Sequence, residues 1–171
     1  MKKKFSIFLA LEPYLLQWLI HESGQEPPIE IKPRSPEADI LQLYLTLPPK
    51  EDYTPQFEPK EGELEILIPY FRHPDTRKYF YLPKKGMIAL KECIKNRFRV
   101  QLWKDLHTIG VLIKRKDISI SEWMEEHGIE ETETNWNTIA KILQRKHAIY
   151  KVQPHRIRRR TMKEILKHKN L

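Results

Sequence analysis

Asn137, Lys141, Gln144 and Arg145 recur at intervals of three and four, so a helix would present them on one side, and each residue type can read the edge of a base pair. Arg and Lys donate to guanine O6 and N7, while the amides of Asn and Gln match adenine N6 and N7. The surrounding chain carries the matching charge. From Ile139 to Leu171 there are eleven basic side chains (Lys141, Arg145, Lys146, Lys151, Arg156, Arg158, Arg159, Arg160, Lys163, Lys167, Lys169) against one acid, Glu164, a net charge of +10. Residues 1–83 hold 10 basic and 13 acidic side chains, and residues 84–171 hold 21 and 10, so the overall +8 is a one-ended field. A field polarised in this way attracts polyanions and is expected of a nucleic-acid binder; a solvated basic tail is the plainer alternative.

Two helices are needed to position that set. Ser119-Ile120-Ser121-Glu122 has the form of a capping box, which predicts a short helix with Ile120, Trp123, Met124 and His127 on one side. Gly128 then supplies a left-handed stop, with Ile129 folding back against the helix. The next helix, about 133–150, starts around Thr132 to Asn135 and turns Trp136, Ile139, Ala140, Leu143, His147 and Tyr150 inward. The basic arm 154–171 follows: His155-Arg156-Ile157-Arg158-Arg159-Arg160 begins just past Pro154, and Lys163, Lys167 and Lys169 continue it on a short final helix. Such an arm can track phosphates or enter a minor groove beside a helix that reads the major groove.

The pair of helices with its glycine turn, residues 119–150, resembles a helix-turn-helix module, and the chain is similar in character to small DNA-binding accessory proteins of prophages and mobile elements. Where the usual motif has a small residue and two apolar ones, this chain has Met124, Thr134 and Asn137. The apolar pair Trp136 and Ile139 is displaced by two, which requires a longer turn. The resemblance implies DNA contacts from Asn137, Lys141, Gln144 and Arg145, supported by Lys151, Arg156, Arg158, Arg159 and Arg160, and binding as a homodimer, as is common for such modules.

The remaining elements follow from periodicity and proline. Phe5, Ile7 and Leu9 alternate as a strand, and Pro13 opens a short helix with Leu15, Leu16, Trp18 and Leu19 on its apolar side. Ile29 and Ile31 suit a second short strand. Ser35-Pro36-Glu37 starts a helix running to about Leu47. Residues 48–62 read as a loop, and the runs Leu64 to Tyr70 and Lys78 to Leu82 as a hairpin. From Pro83 onward Met87, Leu90, Ile94, Phe98, Leu102, Leu106 and Ile109 mark one long amphipathic helix, with Lys84, Lys85, Lys91, Lys95, Arg99 and Lys104 on its solvated side. The expected fold is α+β: a small irregular N-terminal sheet with short helices over 1–83, a helical part over 84–153, and a basic arm over 154–171.

Other chemistries lack their residues. Cys93 is the only cysteine, the seven histidines are scattered, and no metal site is expected. No phosphate-cradling loop or nucleophile motif occurs among the five glycines. Glu58, Lys60, Glu63 and Glu65 only faintly suggest a nuclease core. No stretch reaches the length of a bilayer span. The sequence therefore predicts a cytoplasmic, non-enzymatic binder of duplex DNA with no catalytic residue, cofactor, metal or membrane partner. The alternative is an assembly or protein-interaction module whose basic end meets an acidic protein or RNA.

Overall fold

The computed structural model describes residues 5–49, 56, 58–73, 75–109 and 116–168, with the backbone alone described at 108, 109, 116, 117 and 151–168. The order is β1 (Ser6–Ala10), α1 (Pro13–Ser23), β2 (Ile29–Glu30), α2 (Pro36–Tyr44), β3 (Glu63–Leu67), α3 (Lys84–Ile109), α4 (Lys116–Glu126) and α5 (Glu133–His168), an α+β fold. β3 is the central strand of a mixed three-stranded sheet, antiparallel to β1 and parallel to β2. The register sets Ile7 opposite Ile66 and Leu9 opposite Leu64, so alternate residues of both strands enter the core.

The expected hairpin does not form. Both edges of β3 are occupied by β1 and β2, which leaves no hydrogen-bonding edge for residues 78–82. The buried Thr76 hydroxyl accepts from the Phe71 amide at 2.9 Å and faces the Pro69 carbonyl at 3.3 Å, folding the intervening loop on itself. Tyr81 pairs instead with Thr46, through N–H to carbonyl bonds of 2.9 and 3.1 Å. That bridge lies just beyond α2, which ends at Tyr44 rather than near Leu47, with Leu45 already extended. Its start is as the sequence predicts: Ser35 caps it by accepting from the Ala38 amide at 3.1 Å. Gly86 allows α3 to approach α2, because a Cβ there would meet the Tyr44 Cβ at 2.8 Å.

The stripe along α3 is buried from Leu90 to Leu106, and the side chain of Ile109 lies outside the described residues, as do residues 50–55 and 57 of the expected loop. Phe98 is the centre of the core. Its ring meets Tyr14 at 5.1 Å, Trp18 at 5.3 Å and Trp123 at 5.5 Å, all edge-on, which joins α1, α3 and α4. The sequence halves on either side of Pro83 thus contribute to one core.

Candidate nucleic-acid interface

α4 begins at Lys116, one turn before the position expected from the capping box, so Ser119 and Glu122 lie inside the helix and Ser119 is buried. The turn that ends α4 agrees with the sequence. Gly128 sits at φ +65, its amide donates to the Glu125 carbonyl at 3.1 Å, and the Ile129 amide donates to the Met124 carbonyl at 2.8 Å. This is the Schellman pattern, with Ile129 buried against the helix it terminates.

Residues 127–132 then connect to α5, whose first turn is fixed by side chains that periodicity does not reveal. Thr132 Oγ accepts from the Asn135 amide at 3.2 Å. The carboxamide of Asn135, only 3% exposed, donates to the Glu130 carbonyl at 3.0 Å and to Gln17 Oε1 at 3.4 Å. Gln17 Oε1 also accepts from the Glu130 amide at 3.1 Å. A polar group buried in this way is retained only when bonded, so α1 helps define the direction in which α5 leaves the turn.

On α5, Ile139 and Leu143 are buried, and Trp136, Ala140 and His147 are partly so. Tyr150 departs from the expected inner face, since 54% of it is exposed, although its ring still lies 5.7 Å from Trp103 and 5.8 Å from His107. His147 packs against the same Trp103 at 4.8 Å. Asn137, Lys141, Gln144 and Arg145 are all exposed, and their side chains make no hydrogen bond or ion pair with the described residues.

The cations of α3 are in a different state. Lys95 lies 2.9 Å and Lys91 3.5 Å from Glu12, Arg97 lies 2.8 Å from Glu37, and Arg99 bonds Asn96 and sits 3.9 Å from Glu92. Of the side expected to be merely solvated, Lys91, Lys95 and Arg99 are therefore engaged by carboxylates, and Arg97, outside that set, is as well. The pKa of Glu12 shows the same pairing: burial raises it, but the hydrogen bond from Lys95, a local backbone bond and the two ammonium charges bring it below its ordinary value.

α5 does not end near residue 150. It continues through Pro154 to His168, so the backbone at Lys151, Arg156, Arg158, Arg159 and Arg160 is helical and no separate arm begins after Pro154. The side chains of these five lie outside the described residues. A proline inside a helix removes one backbone bond and crowds the preceding turn, but Lys151, Gln153, Arg156, Arg158, Arg159 and Arg160 on either side of Pro154 favour helix. At 1.5 Å per residue, the 36 residues of α5 extend about 54 Å.

The acidic residues near Lys60 have a local task. Glu63 accepts from the Lys60 amide at 2.9 Å and from Gln56 at 2.6 Å, closing the turn into β3, and chiefly through the first bond its pKa falls below its ordinary value. Burial pushes the Cys93 thiol up, which disfavours the reactive thiolate. A cavity of about 210 Å³ lies between α1, β2 and α3, with Glu37 and Arg97 in its wall. Among the described residues, His21, Glu22 and His127 bring three potential metal ligands together. No described helix is long and apolar enough to cross a membrane. No family model, curated sequence or solved structure matches the chain.

Proposed function

We propose that this chain is a non-enzymatic, cytoplasmic DNA-binding protein, regulatory or accessory in role and akin to those of prophages and mobile elements. It binds duplex DNA, as a homodimer where the site is palindromic. The observation that carries the reading is the contrast between the two basic helices. In α3, Lys91, Lys95, Arg97 and Arg99 face Glu12, Glu37 and Glu92, whereas Lys141 and Arg145 of α5 stand exposed beside Asn137 and Gln144. No acid occurs between Glu133 and Glu164. Exposed cations and amides on a helix anchored by the buried Asn135 of its first turn suit a major groove, and the later basic residues suit phosphates on the same helical track.

Exposed Ile149 and Tyr150, at 58% and 54%, favour the second reading, in which α5 meets an acidic protein or RNA. Fluorescence anisotropy with labelled duplex DNA, single-stranded DNA and RNA at two salt concentrations separates the readings. Duplex DNA binds most tightly if the first holds, with a logarithmic salt slope of about 0.9 per phosphate contacted. Preference for RNA, or failure to bind any nucleic acid, rejects it.

A further inference from the structure

His21 and Glu22 lie in the last turn of α1, and His127 follows the last residue of α4. One potential ligand atom from each falls within 4.8 Å of the other two. The imidazole of His127 is held from several sides. Its Nδ1 is 3.1 Å from Glu22 Oε1, and its Nε2 is 3.5 Å from Asp105 Oδ2. Asp105 is itself fixed by accepting from the Trp123 indole N–H at 3.0 Å, and the Trp123 ring lies 4.3 Å from that of His127. Metal-binding histidines ordinarily present one nitrogen to the ion and the other to a carboxylate, a backbone carbonyl or water, and Asp105 stands 3.5 Å from the second nitrogen of His127. Gln101 likewise donates to Glu22 Oε1 at 3.2 Å. The other histidine is positioned by the absence of a side chain: a Cβ at Gly128 would stand 2.6 Å from Cδ2 and 2.9 Å from Cγ of His21.

We propose that His21, Glu22 and His127 bind a zinc-class divalent transition ion, with water as the fourth ligand. Two imidazole nitrogens and one carboxylate oxygen form a set suited to zinc, whereas magnesium and calcium require oxygen-rich shells. At metal–ligand distances of about 2.0–2.1 Å, tetrahedral ligand atoms stand about 3.3 Å apart, so the group must contract. His21 and Glu22 are at the surface, so rotation of their side chains is the movement this contraction requires. The ion takes the place of the direct contact between His127 and Glu22, and fastens α1 to the end of α4. This inference is independent of nucleic-acid binding.

Untagged, chelator-stripped full-length protein is titrated with zinc by calorimetry, with magnesium as the control. One equivalent of zinc should bind saturably and raise the melting temperature, and magnesium should do neither. His21→Ala should weaken zinc binding at least tenfold while leaving the melting temperature of the metal-free protein unchanged. Glu22→Gln should remove the four-coordinate absorption of the cobalt-substituted protein. Absence of saturable zinc binding, or binding that persists at the same affinity in His21→Ala, overturns the proposal and leaves His127 as a hydrogen-bonded structural histidine.

Discussion

Arg97 brings its guanidinium 2.8 Å from the carboxylate of Glu37, a side chain that is only 1% exposed. Among the described residues no hydrogen bond of ordinary geometry reaches either oxygen of Glu37, so its burial is compensated by the charge of Arg97 and by its place in the first turn of α2. The same guanidinium lies 4.9 Å from the Trp18 ring, which it covers from the solvent side.

Removing Arg97 should therefore cost more than removing both partners. Arg97→Ala leaves a carboxylate buried alone. It should destabilise the fold by about 2–4 kcal/mol, somewhat less than for a fully enclosed pair, because the arginine is 40% exposed. Urea denaturation of Arg97→Ala and of Arg97→Ala with Glu37→Gln gives the comparison. The double variant should recover a substantial part of the loss, and equal stability of the two would mean that the buried charge is not the origin of the effect.

Glu12 offers a test by pH. Its carboxylate is held below the ordinary 4.5 on balance, the pairing with Lys95 and Lys91 outweighing the effect of burial. A depressed folded-state value makes the pairing stabilising above the unfolded pKa, and that stability disappears as pH falls through the lower folded value. Glu12→Gln should melt modestly below the parent protein at pH 7, since the side chain is 38% exposed, and the two curves should converge in acid. A difference that persists unchanged under acidic conditions would indicate lost packing rather than a lost ion pair.

The elements that were legible in the sequence are those specified locally. Pro13, the Ser35 cap, the α3 stripe and Gly128 each act within a turn or two, and the structure has α1, α2, α3 and the end of α4 at those places. Strand partnership was not legible, because the alternation of residues 78–82 does not show that β3 has already used both its edges on β1 and β2. The exposed set of α5 followed from periodicity. The buried polar pair Gln17 and Asn135 did not, since it joins residues 118 apart. The meeting of His21 with His127 is equally tertiary, and no local ligand spacing announces it.

The sequence places the helix at about 133–150 with a separate basic arm from 154, whereas α5 passes through Pro154 to His168. Pro154→Ala distinguishes the two arrangements. In a helix already continuous to His168, the substitution should raise helix stability with little change in far-ultraviolet circular dichroism, because few residues are newly made helical. A large gain in helical signal would mean that the segment beyond Pro154 is non-helical in the parent chain, and the arm would return as the better description.

The last prediction concerns what α5 reads. If Asn137, Lys141, Gln144 and Arg145 meet base edges, Arg145→Ala and Gln144→Ala should each lose about 1–3 kcal/mol on a preferred duplex selected from random sequence, and much less on unselected DNA. Arg158→Ala and Arg159→Ala should weaken both duplexes to a similar extent and lower the salt slope by about 0.9 for each phosphate contact removed. All four side chains are cationic or polar, so a non-specific polyanion binder would also lose affinity in each variant. Specificity is therefore the readout that separates them. A selection that enriches no sequence, together with equal losses on both duplexes for Arg145→Ala and Arg158→Ala, would reduce α5 to an electrostatic track and remove base reading from its role.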